Sequence, residues 1–187
     1  MNGDKKEWPT ERITKLDAAR RQLSVAIRLL LEDKDMLAVH TLVGAAHAVL
    51  ERIALGGKSR NTRKKLKDNI FVRNDCRLAF TRHVNEARNF LKHADRDSGD
   101  THEFNPNNTA YWLCDAVWML HQATGRWGKE GTVFIGWFML AHPDVLDPLA
   151  LPSGGIDILI KMKIKISAPE IKKSYLELLE HQTFWKE

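Results

Sequence analysis

The sequence has few of the features that usually identify a site. It holds two cysteines, Cys76 and Cys114, whose separation matches neither a zinc-binding spacing nor a disulfide framework. It also has no glycine-rich phosphate loop, no dinucleotide-binding fingerprint and no arrangement typical of a Ser or Cys nucleophile. These absences argue against a disulfide-rich secreted domain and against nucleotide-dependent or covalent catalysis.

Long apolar runs are scarce as well. The longest, residues 132–141, is about half the length that a membrane-spanning helix requires. The first twelve residues, MNGDKKEWPTER, are polar and charged and do not resemble a secretory signal. We therefore expect a cytoplasmic protein with no membrane partner and no cofactor.

The composition is that of a folded domain. The chain has 187 residues, of which 43% are hydrophobic and 28% are charged, and this size allows one domain with a substantial core. Positive charge is concentrated in residues 1–100, where 21 Lys and Arg oppose 14 Asp and Glu. Residues 101–187 hold 8 against 10, so the first part is basic and the second is slightly acidic.

Much of this positive charge lies in one run. Residues 58–67 contain six cations and no acid: Lys58, Arg60, Arg63, Lys64, Lys65 and Lys67. Such a run attracts polyanions without reading their sequence. An exposed, solvated segment with no binding role is the alternative interpretation.

Apolar spacing predicts a mainly α-helical fold. Apolar residues recur at three- and four-residue steps in four stretches: 10–31, 36–55, 74–93 and 109–125. Packing these faces together predicts an antiparallel helical bundle over residues 1–127. The polar residues 95–108 between the last two stretches, which include Gly99 and Pro106, predict a loop.

Residues 128–187 form a less regular C-terminal extension, which we expect to pack on the bundle or on a second subunit. Glycine and proline interrupt it repeatedly. Residues 132–141 are ambiguous between helix and strand, with helix favoured. In residues 156–167 isoleucine and methionine alternate with Leu159, three lysines and Ser167, which predicts one β-strand. A final helix is expected to follow Pro169 and to end near residue 182.

The segment Arg88-Asn89-Phe90-Leu91-Lys92-His93 is the strongest candidate for a functional site. Arg88 carries a permanent positive charge, whereas His93 can gain or lose a proton near neutral pH. This combination suits phosphate chemistry, because one group offsets oxyanion charge while the other transfers a proton.

The same segment resembles the signature of the HEPN superfamily, helical-bundle proteins in which Arg and His are separated by four to six residues. Members often carry a polar residue directly after the arginine, as Asn89 does here. The resemblance implies metal-independent RNA cleavage, or RNA binding without cleavage, by a homodimer. Residues 89–97, NFLKHADRD, also resemble a segment of a group of uncharacterised short bacterial proteins, which implies no activity.

In the mechanism that this resemblance implies, the 2′-hydroxyl of RNA attacks the adjacent phosphate. His93 acts as general base or acid, Arg88 offsets charge on the transition state, and Asn89 helps to orient the site. Lys92 and the basic run at residues 58–67 attract the RNA. The reaction takes one proton and returns another, whereas one copy of the motif supplies a single histidine. A homodimer would bring two such histidines together.

Two other interpretations stay open. His40, Gly44, His47 and Glu51 follow one helix face, and Gly44 would let another element approach closely. With His93, Asp95 or Asp97 they could supply ligands for a divalent metal, although the spacing of a zinc-protease helix is absent.

The second alternative is a non-catalytic helical interaction or regulatory protein in which Arg88 and His93 are structural.

Overall fold

The computed structural model describes residues 10–55, 72–93, 99–151, 154–165 and 167–181. Over these residues the chain is mainly α-helical, as predicted. The described helices are α1 Lys15–Leu31, α2 Met36–Leu55, α3 Asn74–Lys92, α4 Pro106–Thr124, α5 Gly128–Ala141, α6 Gly155–Lys165 and α7 Ala168–Glu180. Two short 3-10 turns, Pro143–Val145 and Pro148–Ala150, lie between α5 and α6.

Helix α1 begins at a capping box. The Asp17 N–H donates to the Thr14 hydroxyl (3.0 Å), and the Thr14 N–H donates to the Asp17 carboxylate (3.3 Å). Two backbone donors that a helix start leaves unpaired are thereby satisfied. Residues 10–14, which the apolar spacing assigned to the helix, therefore lie outside it, and Ile13 is exposed.

Helix α2 packs against both α1 and α4. Its buried face follows three- and four-residue steps, as expected for an amphipathic core helix. The fully buried residues of these helices include Val39, Val43, Ala46 and Leu50 from α2, Leu23, Ile27 and Leu30 from α1, and Leu113, Ala116 and Val117 from α4. Burial of one large aliphatic side chain contributes about 1.5–3 kcal/mol. The packing of α2 against α1 and α4 therefore supplies much of the free energy of folding.

Helix α3, which carries the Arg88–His93 segment, packs against α2 and α4. Val84 and Ala87 are its buried apolar residues in the part of the helix whose side chains are described. Just before α3, Val72 forms an isolated antiparallel bridge with Leu146. The start of α3 is thereby tied to the turn that follows α5.

Residues 132–141, which were ambiguous in the sequence, belong to helix α5, so the favoured interpretation is confirmed. Phe134 and Phe138, one turn apart, are fully buried. Helix α5 contacts α1, α4, α6 and α7. At Gly136 an added Cβ would lie 3.0 Å from Tyr175 Cε1, so the glycine lets α7 approach closely.

The β-strand predicted at residues 156–167 is wrong. Residues 155–165 form α6 instead, and no strand occurs in the described part of the chain. A strand without a partner leaves its backbone N–H and C=O groups unpaired, whereas a helix pairs them within the segment. In the helix, Ile156 and Leu159 pack against the core, while Ile158 and Met162 stay exposed.

Among the described residues one helix is long and apolar enough to cross a membrane, judged by length and composition alone. It is α2, over Met36–Ile53, with a mean hydropathy of 1.2. A helix in the core of a protein can have the same composition. Helix α2 packs against α1 and α4, and 39% of this window is buried.

Candidate functional site

The Arg88–His93 segment forms the last turns of α3 and its C-terminal end. Arg88 is half-buried, and Asn89 and Lys92 are exposed. His93 is the C-cap, with φ −118° and ψ 41°, and its backbone N–H donates to the Asn89 carbonyl (3.1 Å). The predicted location of this segment at a helix end agrees with the structure.

Helix geometry places Arg88 and His93 on different sides of α3, because five residues correspond to about 140° around the axis. Val84, one turn before Arg88, is buried, so Arg88 follows the packed side of the helix. Its Nε is also buried, without a hydrogen-bond partner among the described residues. An unpaired, buried guanidinium N–H is costly, and an anionic group could pair with it.

A cleft of about 660 Å³ lies beside α3. Helix α2 contributes His40 to its lining, α3 contributes His83 and Glu86, and residues 102–108 form the opposite side. Of the described residues that line the cleft, three are histidines and two are glutamates, and none is Lys or Arg. The cleft therefore combines imidazole and carboxylate groups with no fixed positive charge.

His40 is the most deeply buried of the described residues that line the cleft, with 1% of its surface exposed. Its Nδ1 is hydrogen-bonded to the Thr109 hydroxyl (3.0 Å), and its Nε2 has no partner among the described residues. Burial, and secondarily the nearby charge of His102, lower the pKa of His40 from 6.5 to about 4. At neutral pH the ring is uncharged, with one nitrogen donating and the other accepting.

His102 links the cleft to the Arg88–His93 segment. Its ring stacks on Phe90, with centroids 5.4 Å apart and an interplanar angle of 27°. Phe90 belongs to the segment and lies one helical turn before His93. A cleft histidine therefore packs on a residue of the Arg88–His93 segment.

The two glutamates of the cleft differ in their surroundings. Glu86 accepts a hydrogen bond from Arg82 Nε (3.2 Å) and lies 3.3 Å from His83 Nδ1. Glu103 is exposed and has no hydrogen bond or ion pair within the described part of the chain. Its carboxylate is thus available as a hydrogen-bond acceptor.

The helix face that carries His40, Gly44 and His47 is a packing face against α4. An added Cβ at Gly44 would lie 2.7 Å from Trp112 Cη2, so Trp112 occupies the space that the glycine leaves. The prediction that Gly44 permits a close approach is confirmed. The Trp112 ring lies 4.6 Å from the His40 ring and 5.6 Å from the His47 ring, between centroids.

The metal site considered for this face gains no support from the described residues. His47 Nε2 lies 2.9 Å from Asp115 Oδ2, and His40 is bonded to Thr109. Among the described residues no three His, Cys, Asp or Glu side chains are placed to hold an ion. Glu51, the remaining member of the face, is half-buried. Asp95 and Asp97, the other suggested ligands, lie outside the described residues.

The predicted RNA-binding run at residues 58–67 also lies outside the described residues. Of the predicted RNA-binding residues the structure describes Lys92, which is exposed on α3.

Several cleft residues escaped the sequence analysis, among them His83, Glu86, His102 and Glu103. His83 and Glu86 share an i, i+3 spacing on α3, which is a weak signal. His102 and Glu103 precede the helix cap Asn105 and show no local pattern.

No protein-family model, curated protein or solved structure matches this chain.

Proposed function

We propose that this chain is a cytoplasmic, HEPN-like RNA-binding protein that works as a homodimer and cleaves RNA without a metal ion. The antiparallel helical bundle predicted for residues 1–127 is part of this proposal. The observation that carries it is the position of Arg88 and His93 in the last turns and the C-cap of α3, the helix that also contributes His83 and Glu86 to the cleft. Lys92 and the basic run at residues 58–67 attract the RNA backbone.

The chemistry needs one base, one acid and a positive charge. The 2′-hydroxyl of RNA is the nucleophile, so the protein need not supply one. Arg88, whose buried Nε lacks a partner in the described part of the chain, offsets charge on the phosphate. His93 transfers one proton and Asn89 helps to orient the site.

The cleft bears on the second proton transfer. His102 stacks on Phe90, one turn before His93, so a second titratable ring lies near the motif within one chain. The dimer would add a second Arg88 and a second His93. Both arrangements supply the acid and the base that the reaction requires.

The decisive experiment incubates single-stranded RNA with the purified protein in excess chelator. We expect cleavage that falls about a hundredfold or more in Arg88→Ala and in His93→Ala, the usual size of a lost acid–base contribution. The matched controls are Arg126→Ala and His181→Ala, because both side chains are exposed and belong to other helix ends. Cleavage that persists in both site variants would contradict the proposal.

A second candidate is a non-catalytic interaction protein. Exposed apolar residues favour it, because α6 leaves Ile158 59% and Met162 44% exposed, one turn apart, and the nearby Leu149 is 94% exposed. Surface groups of this kind often belong to interfaces. Intact RNA, together with no salt-dependent RNA binding, would favour this candidate over the first.

A further inference from the structure

We infer that the cleft beside α3 binds a nucleobase that carries an exocyclic amino group. The inference rests on the proposed function, because it assigns the cleft to one base of the bound RNA. The volume of about 660 Å³ falls within the range of small-molecule sites. The choice of a base, rather than a phosphate, follows from the groups that line the cleft.

The charges of the lining disfavour a phosphate. Glu86 and Glu103 both line the cleft, and no Lys or Arg does so among the described residues. Both carboxylates repel an anion; the ion pair with Arg82 reduces this repulsion at Glu86, whereas Glu103 has no ion pair in the described part of the chain. The cations of the segment, Arg88 and Lys92, belong to α3 outside the cleft lining. Phosphate and base are therefore expected at separate places.

The start of α4, which also borders the cleft, does not reverse this conclusion. A free helix N-terminus attracts anions through its unpaired N–H groups. Here Pro106 has no N–H, and the Asn107 N–H donates to the Asn105 side chain (3.0 Å). The Asn108 N–H is directed to the Asn105 carbonyl (3.2 Å). The N–H groups that would hold a phosphate are thus already used or missing.

The buried part of the cleft suits an uncharged, flat ligand with polar edges. His40 is 1% exposed, neutral at pH 7, and its Nε2 has no partner among the described residues. A buried polar atom without a partner is unfavourable, and because Nε2 has almost no accessible surface, a ligand gains this bond by displacing part of the lining. Phe104 lies edge-on to His40, with centroids 5.4 Å apart, and gives the cleft an aromatic wall.

The carboxylates select among bases. A carboxylate accepts hydrogen bonds but cannot donate one, so it favours an amino group over a carbonyl. Glu103, which has no bond or ion pair in the described part of the chain, is the group available for this contact. Glutamate accepting from the amino group of cytosine is an established form of base recognition. Cytosine and adenine fit this requirement, whereas uracil and hypoxanthine present a carbonyl there.

The test measures nucleoside binding to the intact chain by calorimetry or by NMR titration at pH 7. The ligands form two matched pairs, cytidine with uridine and adenosine with inosine, which differ at the amino position. We expect the amino member of each pair to bind roughly fivefold more tightly or better, the usual value of one specific base contact. Equal affinities within both pairs, or no binding by any nucleoside, would overturn the inference.

Variants assign the preference to its residue. Glu103→Gln replaces a pure hydrogen-bond acceptor by an amide that also donates. The ratio of cytidine affinity to uridine affinity should therefore fall close to one. Glu177→Gln makes the same change at an exposed site on α7 and should leave the preference unchanged. A preference that survives in Glu103→Gln would also overturn the inference, and circular dichroism checks that both variants fold.

A cationic amine is the competing ligand, because two carboxylates also attract positive charge. Putrescine serves as the probe for this outcome. Putrescine that binds and displaces cytidine, with cytidine and uridine equal, would show that the cleft takes amines and that the inference is wrong.

The nucleoside-binding test and the RNA-cleavage test can fail independently of each other. Cleavage that depends on Arg88 and His93, with no nucleoside bound in the cleft, would refute the inference and leave the proposed function standing. Selective cytidine binding without any RNA cleavage would support the inference about the cleft and contradict the proposed RNA cleavage.

Discussion

At the scale of single residues, Gly44 is required by the side chain that packs on it. An added Cβ would lie 2.7 Å from Trp112 Cη2 and 3.2 Å from Cζ3. We expect Gly44→Ala to cost about 1–3 kcal/mol through overpacking, against a gain of about 1 kcal/mol in helix propensity. The net result should be a lower free energy of unfolding, measured by urea denaturation.

Gly131 offers the matched control for this change. It also lies within a helix, but the nearest atom to an added Cβ is Val117 Cγ1 at 3.4 Å, an ordinary contact. Gly131→Ala should therefore raise the free energy of unfolding by about 0.5–1 kcal/mol. Equal effects of the two substitutions would show that Trp112 does not restrict position 44.

The chemistry of single residues was only partly visible in the sequence. The pattern on α2 indicated that Gly44 admits a close neighbour, and it could not identify Trp112, which comes from a distant helix. In the same way, the lowered pKa of His40 depends on its burial and on the charge of His102. Neither can be read from the residues next to His40 in the chain.

At the scale of elements, side-chain caps mark the starts of α1, α4 and α7. Ser167 forms a capping box at the start of α7: its hydroxyl accepts from the Glu170 N–H, and the Glu170 carboxylate accepts from the Ser167 N–H (3.0 Å). Ser167→Ala removes the cap, and we expect a loss of about 1 kcal/mol in the free energy of unfolding.

Ser174 provides the comparison for this substitution, because it is exposed within α7 and is not a cap. Ser174→Ala should be neutral or slightly stabilising, since alanine is the better helix former. If thermal unfolding shifts equally in both variants, the capping box does not stabilise α7.

The accuracy of the predicted helix starts did not depend on these caps, because α3 has no side-chain cap and begins where predicted, whereas α1 has a capping box and begins five residues later than predicted. Helix α2 has the predicted bounds, 36–55, and α3 ends one residue before the predicted end. Helix α4 begins at Pro106, although proline had been taken as a sign of a loop, because Asn105 caps the helix and proline fits its first position. In α6 the alternation predicted a strand, but pairing of the backbone within the segment favoured a helix.

At the scale of the whole molecule, the candidate site is assembled from parts that are far apart in sequence. The sequence located the Arg88–His93 segment at a helix end, and it gave no indication of the cleft beside it. The cleft exists because α2, α3 and residues 102–108 meet there. The way these three parts come together depends on tertiary packing. The periodicity and motif spacing of one sequence do not predict that packing.

The stability of the whole molecule should depend on pH through two histidines. Burial lowers the pKa of His40 and of His142 to about 4, from 6.5. The unfolded chain therefore binds more protons than the folded chain between pH 6.5 and 4, so stability decreases as the pH falls through this range. For His40 the expected loss is about 2 kcal/mol at pH 5 relative to pH 7.

His142→Phe tests this dependence, because the His142 ring packs among Tyr111, Trp137 and Phe138 and a phenyl ring can replace it there. The variant should lose less stability than the wild type between pH 7 and 5, measured by urea denaturation at each pH, because it has one fewer group to protonate on unfolding. His181→Ala removes an exposed histidine and should keep the wild-type dependence. A wild-type protein equally stable at both pH values would mean that the fold does not keep the His40 and His142 rings neutral.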